Sequence, residues 1–63
     1  MSANNYIRIS KYINPSKFVV TDADMDTGVG GYVGQCATVE QAIEIAEAYC
    51  EREEVEYGIR FEL

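Results

Sequence analysis

Thr38-Val39-Glu40-Gln41-Ala42-Ile43-Glu44-Ile45-Ala46-Glu47-Ala48-Tyr49-Cys50-Glu51-Arg52-Glu53 is the stretch from which the rest of the chain can be placed. Thr38 and Gln41 match a capping box, in which the Thr38 hydroxyl accepts from the third helical N–H and the Gln41 side chain reaches back. Behind that cap, Val39, Ala42, Ile43, Ala46, Tyr49 and Cys50 recur at the spacing that lines one side of an α-helix. The spacing predicts a helix from Val39 to about Glu53.

The flanking segments alternate with a period of two instead. Tyr6 to Ile13 reads as a strand with Ile7, Ile9 and Ile13 on one face and Tyr6, Arg8, Ser10 and Tyr12 on the other. Asn14-Pro15-Ser16 is turn chemistry. Lys17–Thr21 returns as a second strand, antiparallel to the first. Asp22–Gly31, with three Asp and three Gly, is expected to be a loop, and Tyr32–Cys36 a short third strand weakened by Gly34. Tyr57–Leu63 closes the chain as a last strand, Tyr57, Ile59, Phe61 and Leu63 pointing one way.

The expected fold class is therefore α+β: a small three- or four-stranded sheet, order β-β-β-α-β, with one amphipathic helix packed on one face, in a single domain spanning residues 1–63. One helix covers only one face of such a sheet. Ile7, Ile9, Phe18, Val20, Ile43, Ala46, Ile59 and Phe61 are the expected shared core. A chain of 63 residues buries only about 60% of its unfolded surface, which leaves little stability to hold a strained catalytic cleft.

Charge is unevenly placed. Residues 1–38 carry Arg8, Lys11 and Lys17 against Asp22, Asp24 and Asp26 and sum to zero, whereas residues 39–63 carry eight Glu against Arg52 and Arg60. The second half therefore holds 2 − 8 = −6, the whole net charge of −6. On the helix, Glu40, Glu44, Glu47 and Glu51 fall within about 60° of one another, facing away from the apolar stripe. Glu53, Glu54 and Glu56 prolong the negative field. Like charges three or four residues apart each disfavour a helix by about 0.2–0.5 kcal/mol, and no lysine interrupts the row to relieve this. The row serves either as a solvated face that keeps the protein soluble or as an anionic docking surface for a basic partner. Its spacing, about 5–6 Å per carboxylate, is sparser than nucleic-acid phosphates but of the same order.

The remaining motifs fail specific chemical tests. Asp22-Ala23-Asp24-Met25-Asp26-Thr27-Gly28 hints at a calcium loop, yet Thr27 stands where an EF-hand needs glycine, and Val33 where it needs a bidentate glutamate. In Gly28-Val29-Gly30-Gly31-Tyr32-Val33-Gly34, Val33 replaces the third glycine of a dinucleotide fingerprint, and no Lys-Ser/Thr follows for a phosphate loop. The chain has no histidine for acid–base work near neutral pH, so Cys36 or Cys50 as nucleophile would lack an imidazole base. No catalytic residue, metal site or cofactor is expected, and the chain is expected not to be an enzyme. Cys36 and Cys50 lie at opposite ends of the helix, about 18 Å apart along its axis; this exceeds the ~7 Å disulfide limit and implies free thiols and a reducing, cytoplasmic setting. No signal peptide or membrane span is expected.

Two surfaces emerge as candidates for partner binding: the acidic line Glu40, Glu44, Glu47, Glu51 and Glu54, and the open sheet face with Tyr6, Arg8 and Tyr12, where Val19 and Arg60 join them. Tyr and Arg are enriched at binding hot spots. Direct nucleic-acid binding is not expected, because the basic footprint is missing. The functional expectation is a small acidic, non-catalytic protein-binding module that occupies the basic, nucleic-acid-binding surface of a partner as an inhibitor does. The alternative is a structural homo-oligomer, such as a homodimer, formed through the open Tyr/Arg face. Size, acidic bias and a one-helix sheet are common among small accessory proteins of phages and mobile elements.

Overall fold

The computed structural model describes residues 4–13, 16–55 and 57–63. Along the chain run β1 (Asn5–Tyr12), β2 (Lys17–Asp24), β3 (Gly30–Cys36), α1 (Val39–Glu53) and β4 (Ile59–Glu62), the β-β-β-α-β order of an α+β fold. The strands form one sheet in the order β3-β2-β1-β4. β1 and β2 pair antiparallel with Ile9 opposite Val20, β2 and β3 also pair antiparallel, and β4 lies parallel to β1 with Ile7 opposite Ile59. The expected Asn14-Pro15 turn lies outside the described residues.

The helix forms where its cap and stripe place it. Thr38 is extended and its hydroxyl accepts from the Gln41 N–H at 3.2 Å, while Gln41 Oε1 accepts from the Ala37 N–H at 3.3 Å. Satisfying these otherwise orphaned donors on both sides of the cap fixes where the helix starts. At the other end Glu54 adopts φ 55°, ψ 53°, a left-handed stop usually given to glycine.

The stripe packs as a thin layer: Ala42 and Ala46 press onto Ile7, Ile9 and Val20, all of them fully buried. Phe18, Ile43, Ile45, Tyr49, Cys50 and Ile59 pack round this centre half-buried. Ile45, outside the expected stripe, joins it over Gly34 of β3. The helix lies across β3, β2 and β1, and this overturns one expected core position. Phe61 shares the helix-side face, but it sits on edge strand β4, beyond the helix, and is 51% exposed.

The second departure concerns the Asp/Gly segment. It is not a loop throughout: β2 continues to Asp24 and β3 already begins at Gly30, leaving only Met25–Val29 as connection. Asp24 closes that connection itself. Its carboxylate accepts from the backbone N–H groups of Asp26 and Thr27, and its own N–H donates to the Val29 carbonyl. Pairing therefore extends through residues whose composition suggests a turn. A bulge then shifts the β2–β3 register between Val20 and Thr21, making Val33 the extra residue, and Val33 packs against the core.

Gly30 sits so close to β2 that a Cβ there would overlap the Asp22 carbonyl oxygen and the Ala23 Cα, whereas a Cβ on Gly34 would meet Ile45 Cγ2 at an ordinary 3.6 Å. Gly30→Ala should destabilise the fold by about 1–3 kcal/mol, while Gly34→Ala should change stability by less than about 1 kcal/mol. Urea unfolding of the two variants side by side measures the contrast.

Candidate functional site

The two faces of the molecule carry opposite charge. Glu40, Glu44, Glu47 and Glu51 are all exposed on the outer side of α1, and Glu54 is exposed at its C-cap. None of these carboxylates is in an ion pair among the described residues, where the one salt bridge is Arg52 to Glu53 at 3.3 Å. Arg52 is the only cation on the helix, and its guanidinium lies over the Tyr49 ring, 5.4 Å from the centroid. Glu56 lies outside the described residues. With Ala42 and Ala46 held against the sheet, rotation about the helix axis is fixed, and the glutamate row has no route inward.

On the far side of the sheet, alternation and register bring Arg8, Lys17 and Arg60 together with Tyr6, Tyr12 and Tyr32; Thr21 stands beside Arg8, Arg8 beside Arg60, and Glu62, opposite Ser10, offsets part of the positive charge. Of the three residues expected to offer contacts here, the structure leaves Tyr12 half exposed and Arg8 partly exposed, and it buries Tyr6. Tyr6 does face away from the helix but is only 6% exposed. The Arg60 guanidinium covers its ring at 5.1 Å, and its hydroxyl lies 3.5 Å from Arg8 Nη1. Lys17 similarly stands over Tyr12 at 5.5 Å. Cation–π contacts within the chain thus occupy two of the three rings; Tyr32, 68% exposed, is the bare one.

Asp22, Asp24 and Asp26 do not converge. Asp24 serves its own turn, Asp26 Oδ2 accepts from Asn4 Nδ2 at 2.8 Å, and Asp22 points to the helix side. Among the described residues, no three carboxylate or thiol groups gather as metal ligands would, and no helix is long and apolar enough to cross a membrane. Cys36 and Cys50 are free thiols. Burial first, then the charges of Asp22 and Glu47, push the Cys50 thiol up, so it stays protonated and a poor nucleophile.

The sequence pattern missed a small polar junction. Asp22 accepts from Asn5 Nδ2 at 2.8 Å on Oδ1 and from the Tyr49 hydroxyl at 2.6 Å on Oδ2, tying β1, β2 and α1 at the far end of the helix from Thr38. One signal was present: Tyr49 falls on the apolar stripe, and a tyrosine so placed needs a partner for its hydroxyl. The hydrogen bond to Asp22, then desolvation, then the negative charges of Asp22 and Glu53 hold the Tyr49 phenol up at about 12, from an ordinary 10.0. A pKa higher in the folded than in the unfolded chain stabilises the fold below the unfolded value and is lost as pH rises through the folded one. Wild-type stability should therefore fall between about pH 10 and 12. Tyr49→Phe should cost about 1–2 kcal/mol at neutral pH and flatten that alkaline fall. Urea midpoints measured from pH 7 to 11 test both.

Comparison with protein-family models, with curated proteins and with solved structures finds no match for this chain.

Proposed function

We propose that the protein is a non-catalytic binding module whose acidic helix face docks onto a basic surface of a protein partner, competing there with nucleic acid as an inhibitor would. The supporting observation is that Glu40, Glu44, Glu47, Glu51 and Glu54 stay exposed and unpaired among the described residues. Such a row costs helix stability through like-charge repulsion. A folded partner surface bearing lysine and arginine relieves that repulsion. The segregation of Arg8, Lys17 and Arg60 to the opposite face adds direction to the field: a basic partner is drawn to the helix and turned away from the sheet. A reducing cytoplasm suits the free thiols, and a phage or mobile-element accessory role suits the size.

The second reading is self-association through the open sheet face. Exposed Tyr12 and Tyr32, with Arg8 on the same face, favour it; the burial of Tyr6 removes one of its anchors.

The leading reading is tested by capture from host lysate with wild-type protein and a Glu44→Lys/Glu47→Lys variant in parallel. A partner retained by the wild type should elute steeply with salt, be displaced by added DNA, and bind the folded variant at least tenfold more weakly. Equal retention by the variant, or indifference to DNA, overturns the proposal.

A further inference from the structure

β4 is an edge strand with an unusual order of side chains. Ile59-Arg60-Phe61-Glu62-Leu63 reads the same, in chemical class, when laid antiparallel against itself about Phe61. Arg60 then stands opposite Glu62 of a second copy and Glu62 opposite its Arg60. On the other face Ile59 meets Leu63, and Phe61 meets Phe61. From this self-complementarity we infer that two copies pair through β4, antiparallel and centred on Phe61, joining their sheets into one.

Three features of the structure carry the inference. The first is the backbone. The Gly58 carbonyl accepts from the Ile7 N–H at 2.8 Å, so Gly58 faces β1. Peptide groups alternate along a strand, which puts Arg60 and Glu62 on the β1 side and turns the N–H and C=O groups of Ile59, Phe61 and Leu63 outward. In an antiparallel ladder centred on Phe61, those outward residues are the ones that exchange hydrogen bonds. Arg60 and Glu62 become the intervening non-hydrogen-bonded pair, whose Cα atoms approach to about 4.5 Å and whose side chains lie closest. Backbone and side chains thus demand the same register.

The second feature is charge. Across the β1–β4 ladder the residue beside Arg60 is Arg8, another cation, and like charges directly opposite one another disfavour pairing. Among the described residues Arg60 has no carboxylate within ion-pair distance. Glu62 of a second copy supplies one on the free side.

The third is the apolar surface beside the same edge. Phe61, on the helix side of β4 and beyond the helix, is 51% exposed, and Leu63, directly after the strand, is 65% exposed. The opposite edge is built to refuse such pairing. β3 carries the bulge at Val33 and two glycines at its start, features that blunt an edge. β4 has neither bulge, glycine nor proline between Ile59 and Glu62.

Sedimentation of the purified chain over a concentration series tests this, together with amide hydrogen exchange. The expected result is a monomer–dimer equilibrium in which the outward amides of Phe61 and Leu63 exchange more slowly as concentration rises. Arg60→Glu alone, and Glu62→Arg alone, place like charges in register and should weaken the dimer roughly tenfold or more. The double exchange Arg60→Glu/Glu62→Arg restores the pairing with its signs reversed and should bring the dimer back. Tyr12→Ser/Tyr32→Ser, on the open sheet face, should leave it unchanged. A chain that stays monomeric at hundreds of micromolar overturns the inference. So does a dimer that ignores both single exchanges, one that the double exchange fails to rescue, one lost in the tyrosine variant, or one whose Phe61 amide exchanges freely.

Discussion

Two alanines govern this molecule. Ala42 and Ala46 are the only fully buried helix residues, and because they are small the helix backbone settles directly onto Ile7, Ile9 and Val20. Larger residues there would lift the helix and open voids that a chain this short has no other side chains to fill. The close seat also sets the helix rotation. Once Ala42 and Ala46 face down, Ile45 and Tyr49 fall toward β3 and Asp22, and Glu40, Glu44, Glu47 and Glu51 point to solvent. Helix packing and charge display are one geometric decision.

That decision fixes what stays uncovered. A helix of 15 residues is one helix diameter wide, about 10 Å, while four strands span roughly 14 Å between the outer strand axes. Seated over β3, β2 and β1, it leaves β4 with a half-exposed apolar side and a bare edge. Among the described residues no helix or strand covers the other sheet face, and there the chain uses its own cations: Arg60 roofs Tyr6, and Lys17 stands over Tyr12. Long side chains that lay their stems on apolar surface while keeping the charge wet are an economical lid for an unlayered face. The same placement concentrates positive charge opposite the acidic row.

The start of the helix was legible in the sequence to the residue, because Thr38 and Gln41 make a cap whose geometry has few alternatives. The element order and the fold class followed from the helical stripe together with the alternation of the flanking segments. What misled was composition, and burial inferred from a side chain's face. Asp22 and Asp24 look like loop residues, yet Asp22 has a helix-borne hydroxyl waiting for it, and Asp24 ends a strand by accepting from the turn beyond it; both depend on tertiary partners that local propensity does not encode. Alternation gives Tyr6 its correct face but not its burial, since period two tells which way a side chain points and nothing about what folds over it. Phe61 failed in the opposite sense. Its face was right and its strand order unknown, and an apolar residue on an edge strand past the helix has nothing to bury against. For the candidate site, the acidic row was readable from spacing, whereas its lack of an ion-pair partner among the described residues depends on tertiary placement that spacing does not encode.

The acidic row and the free edge bear on each other. A two-fold axis perpendicular to a continuous sheet keeps both helices on the same side, so pairing through β4 would present two glutamate rows in parallel planes rather than back to back. With each helix centred over β2, the rows would stand about five strand spacings apart, roughly 24 Å. A single row of screened carboxylates is a modest contact at physiological ionic strength. Two rows on one rigid frame would make the second contact intramolecular, so a partner with two basic patches at that separation would gain far more than twice the binding of a partner with one. Salt sensitivity and protein concentration would then act on binding together, and an edge strand of four residues would control how strongly a surface on the other element is felt.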